Sequence, residues 1–278
     1  MKISILLPYK ENFSPEYPGA VSLFVYETSK TSKFKKDIVV FGNTNFKNKF
    51  EIKYENVDLF KNPLSSQTKT YVSKFINLQK KYNFSIIEVH NRPSYIKYLV
   101  KGISKKILSL YFHNDPLSMD GSKTIEERKY LLKNCYKIIF NSNWSKKRFL
   151  EGMENKFVNS NKLVVFYQSA KKGNLSSIKL KKKWITFVGK LNKAKGYDVF
   201  SKAIQSILSK FPDWKAKVIG DEKREKIDLK HKNAEILGFL NHEEVLNIFK
   251  KTSIAVACSR WEEPFGRTSL EASANGWA

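Results

Sequence analysis

Short apolar runs recur along the first part of the chain, each closed by polar or turn residues. They are "KISILLP" (2–8), "DIVVFGN" (37–43), "SIIEVHN" (85–91), "KKILSLYFH" (105–113), "YKIIFNSN" (136–143) and "KLVVFYQ" (162–168). Runs of this length, rich in apolar and β-branched residues, predict β-strands. Their apolar positions are continuous rather than alternating, so both faces are expected to be buried. That implies a parallel sheet covered by helices. Amphipathic segments such as 67–81 and 122–134 supply helices between the strands.

Residues 169–183, "SAKKGNLSSIKLKKK", break the pattern with Gly, Ser, Asn and a run of lysines. They are expected to be a linker between a first domain, 1–168, and a second, 184–278. The alternation then restarts with strands "WITFVGK" (184–190), "KAKVIGD" (215–221), "AEILGFL" (234–240) and "SIAVACS" (253–259). Helices are expected at 196–210, at 241–251 and from Phe265 onward. Asn241 followed by Glu244 has the spacing of a capping box at the start of the second of these. The expected fold class is therefore α/β, two Rossmann-like doubly wound domains in tandem. In such sheets ligands bind beyond the carboxyl ends of the strands, so polar residues ending a strand carry the interest.

Charge changes the picture less than its size suggests. The net charge is +25 from 51 basic and 26 acidic residues. Among the basic residues only Arg92, Arg128, Arg148, Arg224, Arg260 and Arg267 are arginine, and the lysines are spread over the whole chain. Nucleic-acid recognition leans on the bidentate arginine fork, so no nucleic-acid partner is expected. A lysine-rich composition and attraction to an anionic membrane surface or phosphorylated substrates remain as readings. Cys135 and Cys258 lie far apart among apolar residues and are expected as buried thiols. The apolar start is too short for a signal peptide, and no run has the length of a membrane span. A cytoplasmic location is expected, peripheral at the inner face of the membrane.

The densest chemistry lies in "SRWEEPFGRTSLEASANGWA" at the end of the chain. A strand ending at Ser259 leads through a short loop into a helix, whose first amides make an anion site. Gly266 lets a ligand approach the backbone. Glu263 and Glu271 suit sugar hydroxyls on either side of a phosphate. The residues alone equally fit a helix-start glutamate and an exposed helical one. In "FVGKLNKAKGYDVF", Gly189 ends a strand and Lys190 and Lys195 can converge on a diphosphate, although a lysine-rich chain also supplies such pairs by chance.

Taken in order, "VGKLNKAKG", "VIGD", "ILGFLNHEEVLNIFKKTSIAVACS" and "EEPFGRTSLEASANG" resemble the carboxyl-terminal domain of family-four retaining glycosyltransferases (glycosyl transferases group 1). The resemblance covers roughly 184–277 and implies the GT-B fold, with the second domain incomplete. It implies that Glu271 binds the donor ribose and Glu263 the donor sugar's hydroxyls. It further implies that Phe265 and Gly266 offer amides to sugar and phosphate, and that Lys190 and Lys195 neutralise the leaving diphosphate. Lys190 stands where arginine is more usual, so a bidentate contact becomes a point charge. Gly238 and Phe239 fall where the backbone borders the nucleobase. In the first domain "YPGAVSLFVYE" resembles a glycine loop that would place Gly19 and Ala20 near the donor phosphates or the acceptor. "YFHNDP" and "EVHNRP" end strands with His113, which resembles the histidine near the reacting sugar, and His90, a candidate for acceptor contact. "FNSNWSKKRF" resembles the segment where a strand meets a cleft-facing helix. Asn143 there is an acceptor candidate, and Asn143 and Ser145 also read as caps.

The implied reaction is transfer of a sugar from a UDP- or GDP-sugar to a glycan or lipid-linked acceptor with retention at the anomeric carbon. No metal or other cofactor is expected, and the sequence contains no Asp-x-Asp. The setting implied is surface polysaccharide, lipopolysaccharide or glycolipid synthesis. A non-catalytic nucleotide-sugar-binding remnant is the alternative reading, with a basic nucleic-acid-binding protein more remote. Family members continue beyond the final helix, so the chain is expected to be carboxyl-terminally truncated.

Overall fold

A computed structural model describes residues 2–59, 66–103, 106–172, 181–222 and 225–276. The chain divides into two compact units, Met1–Gln168 and Ser169–Ala278. Residues 173–180 of the expected linker lie outside the described residues.

The first unit has strands β1 (Ile3–Leu6), β2 (Ile38–Gly42), β3 (Tyr54–Asn56), β4 (Ile86–His90), β5 (Ile107–Phe112), β6 (Lys137–Phe140) and β7 (Leu163–Val165). Its helices are α1 (Ala20–Thr31), α2 (Gln67–Gln79), α3 (Ile96–Gly102), α4 (Ile125–Asn134) and α5 (Asn143–Leu150). All strand pairs are parallel, in the order β3-β2-β1-β4-β5-β6-β7. Burial on both faces follows from the continuous apolar runs. Leu6, Phe41, Val89 and Leu110 pack on one face against Tyr71, Phe75 and Leu99 of α2 and α3. Ile5, Leu7, Val40 and Tyr111 pack on the other against Val21, Phe24 and Val25 of α1. The short edge strand β3 was not expected from the sequence: its residues Tyr-Glu-Asn carry no apolar run.

The second unit has β8 (Trp184–Val188), α6 (Tyr197–Lys210), β9 (Lys215–Ile219), β10 (Ala234–Ile236), α7 (His242–Lys251), β11 (Ile254–Val256) and α8 (Arg267–Ala274). Its parallel sheet runs β10-β9-β8-β11. Ile185, Phe187 and Val218 meet Tyr197, Phe200 and Ile204 of α6 on one face. Ile219 packs with Val245 and Phe249 of α7 and Ala272 of α8 in a separate cluster. Asn241 caps α7 in the expected capping box with Glu244. The edge strands β10 and β11 are shorter than their apolar runs, and Ile236 and Ile254 are exposed.

One buried charge braces the first unit. Arg128 of α4 donates from Nη1 to the carbonyls of Phe149 (2.5 Å) and Glu151 (2.7 Å), and from Nε to Thr124 O (3.2 Å). The first two are carbonyls at the end of α5 that have no partner within that helix. Arg128→Met, which keeps the volume and removes the donors, is expected to destabilise the protein by roughly 2–3 kcal/mol in denaturant unfolding. An unchanged midpoint would show that water replaces the guanidinium without loss.

Candidate functional site

In the second unit β8 lies between β9 and β11, so the order of connection reverses there. Open parallel sheets bind ligands beyond the carboxyl ends of the strands at that point. The loop after β8 carries Lys190 and Lys195, and the loop after β11 carries Ser259, Trp261 and Glu263. Gly196 joins the two. Its φ is +70°, and a Cβ there would lie 1.9 Å from the Cys258 carbonyl oxygen, so no larger residue fits. The Cys258 thiol donates to Gly196 O (3.2 Å), the Arg260 amide donates to Ala194 O (2.9 Å), and the Arg260 guanidinium pairs with Asp198 (2.6 Å). Buried Asn192 accepts the Lys195 amide at 3.0 Å, which fixes where that side chain starts.

Lys195 and Glu263 were expected to meet different parts of a donor. The structure brings them together as an ion pair with Nζ 2.7 Å from Oε1, each just over a quarter exposed. The Ser259 hydroxyl donates to the same oxygen, and Nζ lies 5.4 Å from the centre of the Trp261 ring. An ammonium has three N–H donors, so pairing with one carboxylate leaves Lys195 able to meet a phosphate oxygen as well. Lys190 is exposed, and the amide of the preceding Gly189 donates to Ile219 O at 3.0 Å. Gly238, with φ +68° and open space around the position a Cβ would take, follows β10, with Phe239 exposed beside it.

Helix α8 begins at Arg267 rather than at Phe265. Gly266 precedes it with φ +79°, a left-handed value that an α-helix excludes. Phe265 and Gly266 therefore stand ahead of the first turn. Glu271 is buried, and His242 Nε2 (2.9 Å) and Arg267 Nε (2.6 Å) both donate to its Oε1. Burial is the largest influence on this carboxyl and pushes its pKa up. Hydrogen bonds from His242 and Arg267, with the charges on both, together outweigh it, so the pKa falls below the ordinary 4.5.

In the first unit the expected contacts of Gly19 and Ala20 with donor phosphates meet an obstacle. The start of α1 already holds a carboxylate, since Glu11 Oε1 accepts the Ser22 amide at 3.0 Å. A Cβ at Gly19 would lie 2.1 Å from that oxygen. Gly19 thus faces Glu11 instead of an open anion site, while Ala20 is exposed at the start of α1. Burial raises the Glu11 pKa, against the lowering pull of Ser22 and Arg92.

His113 follows β5 and is held from several sides. Its amide donates to Asn91 Oδ1 (3.2 Å), and its carbonyl accepts from Asn141 Nδ2 (2.9 Å). Tyr111 stacks on its ring at 4.6 Å between centroids, and His90 Nδ1 lies 2.9 Å from its Nε2. His90 was expected to touch an acceptor. It is only 1% exposed, with one ring nitrogen on Glu88 (2.5 Å) and the other on His113, so its neighbour is His113. Asn143 begins α5 and donates to the Tyr167 hydroxyl (2.8 Å), while the cap is Ser142, which accepts the Ser145 amide at 3.1 Å. A cavity of about 450 Å³ opens beyond β1 and β2 beside Tyr9, Lys10, Asn12, Asn43, Asn45 and Phe46.

Comparison with known proteins bears on the second unit first. Residues 169–278 match the family Glycosyl transferases group 1. Spore coat protein SA of Bacillus subtilis (strain 168) is 25% identical over 224 residues, 71% of this chain and 59% of its own length. The chain thus spans less than two thirds of that curated relative. Among solved structures, Anabaena Alr3699/HepE in complex with UDP and glucose superposes with a TM-score of 0.74 at 16% identity, over 100% of this chain and 79% of that one. A glycosyltransferase from Rickettsia africae gives 0.70 at 19% identity, over 99% and 77%. The lipopolysaccharide outer core galactosyltransferase WaaB in its apo form gives 0.61 at 16%, over 100% and 79%. These likenesses show the fold, which is GT-B.

Two side chains of the second unit escaped the sequence reading. Arg267 precedes Glu271 by one helical i,i+4 step, a spacing that sets side chains against each other and was open to inspection. His242 comes from the first position of α7, and nothing local in the sequence announces its partner.

Because folding lowers the Glu271 pKa, its ionised form stabilises the unit fully above the ordinary 4.5, and this is lost as pH falls through the lowered value. Thermal unfolding at decreasing pH is expected to show a steeper fall in Tm below about pH 4.5 for the unaltered chain than for Glu271→Gln. Equal slopes would mean that His242 and Arg267 do not favour the ionised carboxylate.

Proposed function

We propose that this protein is a retaining glycosyltransferase that moves a hexose or related sugar from a nucleotide-sugar donor to a glycan or lipid-linked acceptor. The carrying observation is the Lys195–Glu263 ion pair between the loops that follow β8 and β11, in the unit that matches group 1 glycosyl transferases, with Lys190 on the first of those loops and Glu271 on the helix after the second. Glu271, with both partners on Oε1, presents Oε2 to the ribose hydroxyls. Lys195 holds Glu263 oriented as an acceptor for sugar hydroxyls while its remaining donors reach the diphosphate. Lys190 adds a second cation. As the bond from the anomeric carbon to the diphosphate oxygen breaks, these charges stabilise the negative charge developing on the leaving group. The acceptor oxygen bonds to the same face of that carbon and passes its proton to the departing phosphate. The two lysines supply the neutralisation that a divalent cation gives in other folds.

The binding of UDP and UDP-glucose by HepE makes UDP the first nucleotide to try. The amides, phenol and aromatic face around Tyr9, Asn12, Asn43 and Phe46 suit a neutral saccharide, whose hydroxyls and C–H faces need such partners. No helix among the described residues is long and apolar enough to cross a membrane. The excess of lysine supports attraction to an anionic surface where a lipid-linked acceptor would lie.

Calorimetric titration with UDP and with GDP tests the donor reading. One of the two is expected to bind, with the affinity reduced about 10- to 100-fold in Lys195→Ala and in Glu271→Ala, the loss of one charge-assisted hydrogen bond. Binding that survives both substitutions would place the nucleotide elsewhere and overturn the assignment.

A further inference from the structure

Parallel register sets up a line of polar side chains on one face of the first sheet. His90 pairs with Tyr111, so Glu88 and His90 share a face with Ser109, Tyr111 and, one step beyond the strand, His113. The line reads Glu88 Oε1 to His90 Nε2 at 2.5 Å, His90 Nδ1 to His113 Nε2 at 2.9 Å, and His113 Nδ1 to Gln168 Nε2 at 3.3 Å. Phe24 of α1 and Tyr111 enclose the two rings, with Phe24 edge-on to His113 at 5.1 Å and Tyr111 stacked on His90 at 5.4 Å. Among the described residues no three His, Cys, Asp or Glu side chains are placed to hold a metal ion, so the cluster is not a metal centre.

We infer that Glu88 and His90 form a relay that fixes His113 as its Nε2–H tautomer and so presents Nδ1 as a hydrogen-bond acceptor for a saccharide hydroxyl. The directions follow one from the next. A carboxylate only accepts, so His90 Nε2 carries the proton shared with Glu88. In the neutral ring His90 Nδ1 then bears the lone pair, and His113 Nε2 must donate to it. His113 Nδ1 is left as the acceptor, and the Gln168 amide fills that place at the longest distance in the line. A sugar hydroxyl can take over from Gln168 without disturbing any other member. Glu88 and His90 are positioning residues that act through His113. That the hydroxyl belongs to a sugar rests on the glycosyltransferase reading above, whereas the tautomer does not.

Two measurements on the full chain separate these parts. Long-range nitrogen–proton correlation spectra of the histidine-labelled protein are expected to show single Nε2–H tautomers for both His90 and His113. Glu88→Gln, which keeps an acceptor oxygen, is expected to preserve that pattern, and Glu88→Leu to replace it by mixed tautomers at His113. A wild-type His113 protonated on Nδ1 or already mixed, or a His113 unmoved by Glu88→Leu, would overturn the relay. With UDP-glucose as the donor probe, Glu88→Leu is expected to lower kcat about 10- to 100-fold, the usual cost of losing an outer hydrogen-bond partner, with rescue by Glu88→Gln. UDP affinity, set in the second unit, is expected to stay the same. Unchanged kcat in Glu88→Leu beside the altered tautomer would remove the link to turnover. Absence of transfer in the unaltered chain beside the expected spectra would fault the glycosyltransferase reading and leave the tautomer standing.

Discussion

Parallel pairing on both sides of β8 is the constraint from which the second unit's chemistry follows. A parallel strand must be re-entered from its far end, so every chain exit falls at one edge of the sheet. Because β9 lies on one side of β8 and β11 on the other, the exits of β8 and β11 diverge into helices α6 and α8 with their loops adjacent. Lys195 from one loop then meets Glu263 from the other. The approach is close enough that only glycine fits at position 196, and the Lys195–Glu263 pair depends on that fit as much as on its own charges.

Two carboxylates show how local partners set the direction of a pKa shift in a chain that is basic throughout. Glu11 and Glu271 are both largely withdrawn from water, and for each the cost of burial is the largest single influence. Glu11 is met only by the backbone amide and side chain of Ser22 and feels Arg92 and His90 through space, so burial wins and its pKa rises. Glu271 receives hydrogen bonds from both His242 and Arg267, and the two together win over burial. The net charge of +25 therefore says little about either site. A carboxylate needs donors within hydrogen-bond reach to stay ionised once buried.

The strands of both sheets were legible because continuous apolar runs leave a parallel sheet little alternative. What escaped is instructive for its physical cause. β3 has only three residues, none aliphatic, and is held by its neighbour β2 rather than by its own pattern. The start of α8 moved to Arg267 because backbone conformation at Gly266, not side-chain polarity, ends the loop. At the site the motif residues could be named from order and spacing, yet their pairing could not. Lys195 and Glu263 are joined across the sheet, as are His242 and Glu271 across a helix pair. The Glu88–His90 contact was the exception, since alternate residues of a strand share a face. Reading His90 with Glu88 would have turned it inward, away from an acceptor.

The same geometry explains why side chains at strand ends are held so firmly in both units. A side chain one step past a strand inherits the strand's fixed position while standing clear of the ladder. His113 illustrates the balance: Asn91 and Asn141 take the backbone groups that the sheet no longer pairs, and the His90 and Tyr111 rings fix the imidazole. Asn91 itself adopts φ +53°, a conformation asparagine tolerates better than most residues, so that its side chain can reach two amides at once. Rigidity is thus built from the sheet outward through hydrogen bonds and ring stacking. A ring held on so many sides has little freedom left to lose, which is the preorganisation that a single hydrogen-bond contact to a flexible ligand requires.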